Sequence, residues 1–213
     1  MAFNPTYSAS ITIDNTNPAN PIISVSGGGS GGMITGQNFL FVLTADTDSS
    51  TELGTKLLDV LAAAKLATPN GTALSANNRI AIIIPPGIYI CSSTLALDTQ
   101  FIDLIGLTDN REDVIIKSTS GYTITKTAND ILLKNIHIEN AFSGCIISGD
   151  YSSEKFENIV FSTTASGLST MPLGNTCSGS YTDCLVRNTF ASAVNEYAFG
   201  GGLSGVASGT FTR

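Results

Sequence analysis

The sequence predicts an all-β chain: a solenoid of stacked parallel strands, with one N-terminal capping α-helix and an extended N-terminal arm. Three observations carry that expectation. Similar six-residue strand segments recur along the chain, with Leu133, Phe156 and Tyr181 in the same place, 23 and then 25 residues apart. Helical periodicity disappears after Asn78, where short β-rich pieces punctuated by turn residues take over. Inside each repeat the apolar pattern slips phase at a fixed Asn or Asp. The 213 residues are enough for one sizeable core, and 21 Gly with no Trp suit a β-rich chain of many tight turns.

In chain order, residues 1–25 read as an attachment arm. "SASITID" alternates, "NPIISVS" is extended, and Pro5, Pro18 and Pro21 interrupt anything longer. Residues 26–32, "SGGGSGG", are a flexible Gly/Ser linker by composition. The remaining 33–213 form the strand domain, with its capping helix over about 51–67. Ser49 stands three residues before Glu52, a capping-box spacing, and Leu53, Leu57, Leu61 and Ala64 make one apolar stripe. A single amphipathic helix with no helical partner must lay that stripe on a sheet.

The repeat itself reads Leu133-Lys134-Asn135-Ile136-His137-Ile138, then Phe156-Glu157-Asn158-Ile159-Val160-Phe161, then Tyr181-Thr182-Asp183-Cys184-Leu185-Val186. Phe101-Ile102-Asp103-Leu104-Ile105-Gly106 fits as an earlier copy, and Phe211 opens a later one. Strict alternation would place 133, 135 and 137 on one face, yet the apolar residues fall at 133, 136 and 138. A bend at the Asn or Asp accounts for the slip, because these residues tolerate left-handed backbone and bond locally. The expected bend ladder is therefore Asp103, Asn135, Asn158 and Asp183. Ile105, the chain's only histidine His137, Val160 and Leu185 form an outward column, apolar at three of its four positions. Exposed apolar columns mark contacts, so this column is the expected interface with a neighbour, the alternative being cover by the chain's own arm or loops.

"RIAIIIPPGIYI", "ALDTQFIDLIGL", "TANDILLKNIHIEN" and "FENIVF" resemble the right-handed parallel β-helix of the pectate-lyase-like superfamily. Pro85-Pro86-Gly87-Ile88-Tyr89 is similar to the turn that opens the first coil there, after a capping helix. The resemblance covers roughly Thr51 to Arg213 and leaves out the arm. It implies lyases, hydrolases or non-enzymatic virion proteins, since one fold hosts all three.

Candidate chemistry is sparse. A polysaccharide lyase or hydrolase needs clustered acids, and "TDNRED" supplies Asp109, Arg111, Glu112 and Asp113, which is also ordinary loop composition. The four cysteines lie 54, 32 and 7 residues apart, none a metal-binding spacing, so buried thiols or a Cys177–Cys184 disulfide are the readings. No metal or cofactor is expected. The net charge of −7 speaks against a nucleic-acid partner, and no apolar run approaches the ~20 residues that cross a bilayer. No secretory leader is expected of "MAFNPTYSAS".

The resemblance implies a structural protein of a tailed-bacteriophage particle, made in the host cytoplasm and located in the virion. A homotrimeric head decoration (cement) protein is favoured, held to a capsid or tail protein through residues 1–25. The alternatives are a tail spike or fibre component, a polysaccharide lyase or hydrolase, and a glycan-binding module.

Overall fold

A computed structural model describes residues 10–14, 22–26, 37–119, 121–140, 144–148, 155–163, 179–188 and 209–212. Three strands come first: β1 (Ser10–Asp14), β2 (Ile22–Ser26) and β3 (Gln37–Phe41). Helix α1 (Ser50–Leu66) follows, then β4 (Arg79–Ile84), β5 (Gly87–Cys91), β6 (Leu95–Leu97), β7 (Ile102–Gly106), β8 (Val114–Ser118) and β9 (Tyr122–Lys126). The later strands are β10 (Leu132–Asn140), β11 (Gly144–Ser148), β12 (Lys155–Thr163), β13 (Gly179–Thr182), β14 (Leu185–Asn188) and β15 (Gly209–Thr212).

Twelve strands belong to one sheet, whose main path runs β1-β2-β3-β4-β7-β10-β12-β13-β15, with β14 on β12 and β5–β8 joined to β10. β11, β9 and β6 make a second, three-stranded sheet. All pairings from β3 onwards are parallel, while β1–β2 and β2–β3 are antiparallel. The repeats pair in the register their alignment implies: Leu133 with Phe156, Phe156 with Tyr181 and Tyr181 with Phe211.

The fold class needs correction. The all-β, right-handed solenoid is replaced by a mixed α/β fold that is mostly sheet, with an open strand order and one helix built into the core. The segments on either side of each bend do not separate into the walls of a coil. β10 pairs β7 with its first half and β8 with its second, so both halves remain in one sheet. Repeat length encodes parallel register, which an open sheet satisfies as well as a coil does.

Helix α1 begins where the capping box places it. The Glu52 N–H donates to Ser49 Oγ at 3.3 Å, and the Ser49 N–H donates to a Glu52 carboxylate oxygen at 2.8 Å. Leu53, Leu57, Val60, Leu61 and Ala64 are buried, and the helix lies against β5. Gly54 permits that approach: a methyl group there would sit 2.0 Å from the Ile90 carbonyl oxygen. Sealing one large apolar side chain such as Leu57 from water contributes roughly 1.5–3 kcal/mol.

The core continues under the sheet through Ile82, Leu104, Leu133, Ile136, Phe156 and Phe161. In-register pairing stacks Phe156 on Tyr181, with ring centroids 4.8 Å apart and planes inclined by 11°. At the N-terminal side, β1 and β2 form an antiparallel pair joined to β3 through Ile23 and Phe39. Residues 27–32 of the Gly/Ser segment lie outside the described residues.

Candidate functional site

The bend residues come first, because they aim the side chains that follow. Asn135, Asn158 and Asp183 all have left-handed backbone, at φ 57°, 54° and 52°. Asn158 Nδ2 donates to Asn135 Oδ1 at 2.9 Å, so neighbouring bends are tied by their own side chains. Asp103 does not belong to this ladder. Beyond the Lys134–Ile105 pair, the position beside Asn135 falls at Gly106, where a methyl group would meet the Asn135 carbonyl oxygen at 2.1 Å. Asp103 is instead a buried ion-pair partner. Arg79 donates to both its carboxylate oxygens, at 2.9 and 2.5 Å, and the Leu132 N–H donates to one of them at 2.9 Å.

The outward column also changes at one end. His137 pairs with Val160 and Val160 with Leu185, but the partner of His137 on the other side is Ile115, itself paired with Ile88. Ile105 pairs with Lys134, one column away. The aligned Phe101–Gly106 segment ends before the second half of the repeat, and β8 supplies that half. Val160 is 0% exposed and His137 only 7%, so the middle of the column is covered within a single chain before any neighbour arrives.

The "TDNRED" loop crosses this face. Asp109 accepts from Asn158 Nδ2 through its backbone carbonyl at 2.7 Å, and from Asn135 Nδ2 through its carboxylate at 3.4 Å. Arg111 donates to the Asp183 carbonyl, so the loop touches all three left-handed bends. Asp113 closes the loop on itself by accepting from Thr108 Oγ1 at 2.7 Å and Asn110 Nδ2 at 2.6 Å. These side chains strap the loop over strands β10, β12 and β14.

Glu112 reaches furthest. One of its carboxylate oxygens lies 2.8 Å from His137 Nδ1, and the other lies 2.7 Å from Arg187 Nη1. His137 Nε2 lies 2.6 Å from Ser162 Oγ. At 2.8 Å the Glu112–His137 pair is within bonding distance, but Nδ1 is out of line for a hydrogen bond and its attraction to the carboxylate is mainly coulombic. Burial lowers the pKa of His137, against the opposing pull of Glu112 and Glu139, so the neutral imidazole is favoured. A neutral imidazole beside a hydroxyl, with a carboxylate behind it, can accept that hydroxyl's proton.

Ser162 and Arg187 were not singled out in the sequence. They are in register with Glu139 and Lys117, forming a second outward column two residues beyond His137. The signal that finds them is the same repeat offset, applied to Glu139 instead of His137. Lys117 and Glu139 pair at 2.7 Å, so the face carries a charge network of both signs.

Among the described residues no group of three or more His, Cys, Asp or Glu side chains is placed to hold a metal ion. Cys91 and Cys184 are free thiols, and Cys177, the other half of the alternative Cys177–Cys184 disulfide, lies outside the described residues. Burial pushes the Cys91 thiol up to about 11. No helix among the described residues is long and apolar enough to cross a membrane. Comparison with protein-family models, curated proteins and solved structures finds no match.

Proposed function

We propose that this chain is a non-enzymatic structural protein that packs side by side with copies of itself in a larger particle. The observation that carries the reading is an apolar patch on the outer face of the sheet. Phe41, Ile83 and Ile105 are in register on adjacent strands, with Ile83 itself only 8% exposed, and Leu43 and Leu107 follow just beyond the ends of β3 and β7. Phe41 is 41% exposed, Leu43 40% and Leu107 57%. A patch of this kind supports association, because its burial is favourable and isolated chains leave it in water.

The particle we propose is a bacteriophage head, with a homotrimer as the decorating unit and residues 1–25 as the contact to a capsid or tail protein. The order of arm, Gly/Ser segment and strand domain along the sequence supports this. Light scattering coupled to size exclusion tests the self-association. The wild-type chain should elute as a trimer, and Leu107→Asp should elute as a monomer with an unchanged circular dichroism spectrum. A wild-type monomer across the micromolar range would sink the proposal.

A further inference from the structure

We propose that Ser162 is an activated serine, a covalent modification site for small acyl or phosphoryl donors, with His137 as its base and Glu112 as the carboxylate that positions the imidazole. This goes beyond the assembly reading and does not rest on it. A chain of contacts carries it: Ser162 Oγ to His137 Nε2 at 2.6 Å, His137 Nδ1 to Glu112 at 2.8 Å, and Glu112 to Arg187 at 2.7 Å. Hydroxyl, imidazole and carboxylate in that order are the arrangement by which a serine sheds its proton while its oxygen attacks.

The backbone holds the arrangement in place. His137 is paired with Val160, so Ser162, two residues along β12, stands diagonally across from it on the same face. The loop that brings Glu112 is pinned on one side by Asp109 to Asn158 and on the other by Arg111 to the Asp183 carbonyl. Glu112 is about one-third exposed, so a small rotation of its side chain brings the carboxylate into line with Nδ1–H. Arg187 is in register with Ser162, and its guanidinium holds the second Glu112 oxygen at 2.7 Å, fixing the carboxylate beside the imidazole.

The step balances without an oxidant or a cofactor. With an ester, a bond forms between Oγ and the carbonyl carbon, the Oγ proton passes to Nε2, and the carbon–oxygen bond to the alcohol breaks. The alcohol leaves with that proton, and an acyl-serine remains. With a phosphorofluoridate, the bond between Oγ and phosphorus forms, the phosphorus–fluorine bond breaks, and fluoride and the proton depart. Ser162 is 4% exposed, which restricts the donor to a small one and shields the product from water. A single modification, rather than turnover, is the consequence.

The test uses the full-length protein and diisopropyl fluorophosphate, read by intact mass and peptide mapping. One diisopropylphosphoryl group per chain is expected, at Ser162. None is expected in Ser162→Ala or His137→Gln, and labelling should be at least tenfold slower in Glu112→Gln. The pH midpoint of labelling should also fall in Glu112→Gln, since the carboxylate raises the imidazole's basicity among Glu139, Lys117 and Arg187. An unlabelled wild-type chain, or an adduct at any other residue, overturns the proposal. So does labelling of Ser162 that continues undiminished in His137→Gln.

Discussion

Asn158 holds a left-handed backbone conformation that costs an ordinary residue roughly 1–2 kcal/mol, and its side chain bonds to Asn135 and to the Asp109 carbonyl. Asn158→Ala keeps the strain and removes both bonds, so it should destabilise by roughly 2–3 kcal/mol in urea unfolding. Asn158→Gly removes the strain as well and should lose visibly less; equal losses in the two variants would mean that strain plays no part. His137 gives a residue-scale prediction in pH. Its folded pKa lies below the ordinary 6.5, because burial outweighs Glu112 and Glu139. Unfolding therefore takes up protons as pH falls below that value, and the stability contributed by the neutral imidazole is present above pH 6.5 and lost as pH falls through the folded pKa. The urea midpoint of the wild type should drop more between pH 7 and pH 5 than that of His137→Gln. Parallel profiles would refute this.

At the scale of elements, α1 and the bent strands depend on close approaches between backbones. Gly54→Ala places its methyl group against the Ile90 carbonyl oxygen and carbon at 2.0 and 2.3 Å, and neither is a flexible group that can swing aside. The helix must lift from β5, at a cost near or above the upper end of the roughly 1–3 kcal/mol typical of overpacking. Thermal unfolding should fall by about 6 °C or more, at roughly 2–4 °C per kcal/mol for a chain of this size. A melting temperature within a degree of wild type would show that α1 is not docked as described. The α1 boundaries, the cap and the buried stripe were legible in the sequence, because capping and helical periodicity are local. The contact of Gly54 with β5 was not, since its partner lies 36 residues on, from 54 to 90.

For the whole molecule, the proposed self-association would tie stability to concentration. The wild-type melting temperature should rise across a hundredfold increase in protein concentration, while that of Leu107→Asp should stay constant. A flat wild-type profile would argue for an independent monomer. The outer face is divided between two uses: Phe41, Leu43 and Leu107 remain open, whereas Val160 and His137 are closed over. The expected interface thus moves from the His137 column toward β3, β4 and β7. The repeat could not reveal this, since alternation assigns a side chain to a face without saying what lies above that face.

Sequence alone determined how the repeats from Leu133 onwards pair and where their strands bend. Repeat spacing brings Leu133, Phe156, Tyr181 and Phe211 into register, and Asn135, Asn158 and Asp183 are residue types that accept the left-handed turn. Both are properties of a short stretch and its copies. Tertiary structure alone decided that the strands form an open sheet with a helix in its core, that Asp103 serves Arg79 instead of the bend ladder, and that Ile115 replaces Ile105 beside His137. It also decided what the "TDNRED" acids do. Those outcomes depend on which distant backbone an offset of twenty-odd residues delivers to a given side chain. That choice is made by the packing of the whole sheet, and so the lone histidine of an outer column meets a serine and a glutamate that no local pattern places beside it.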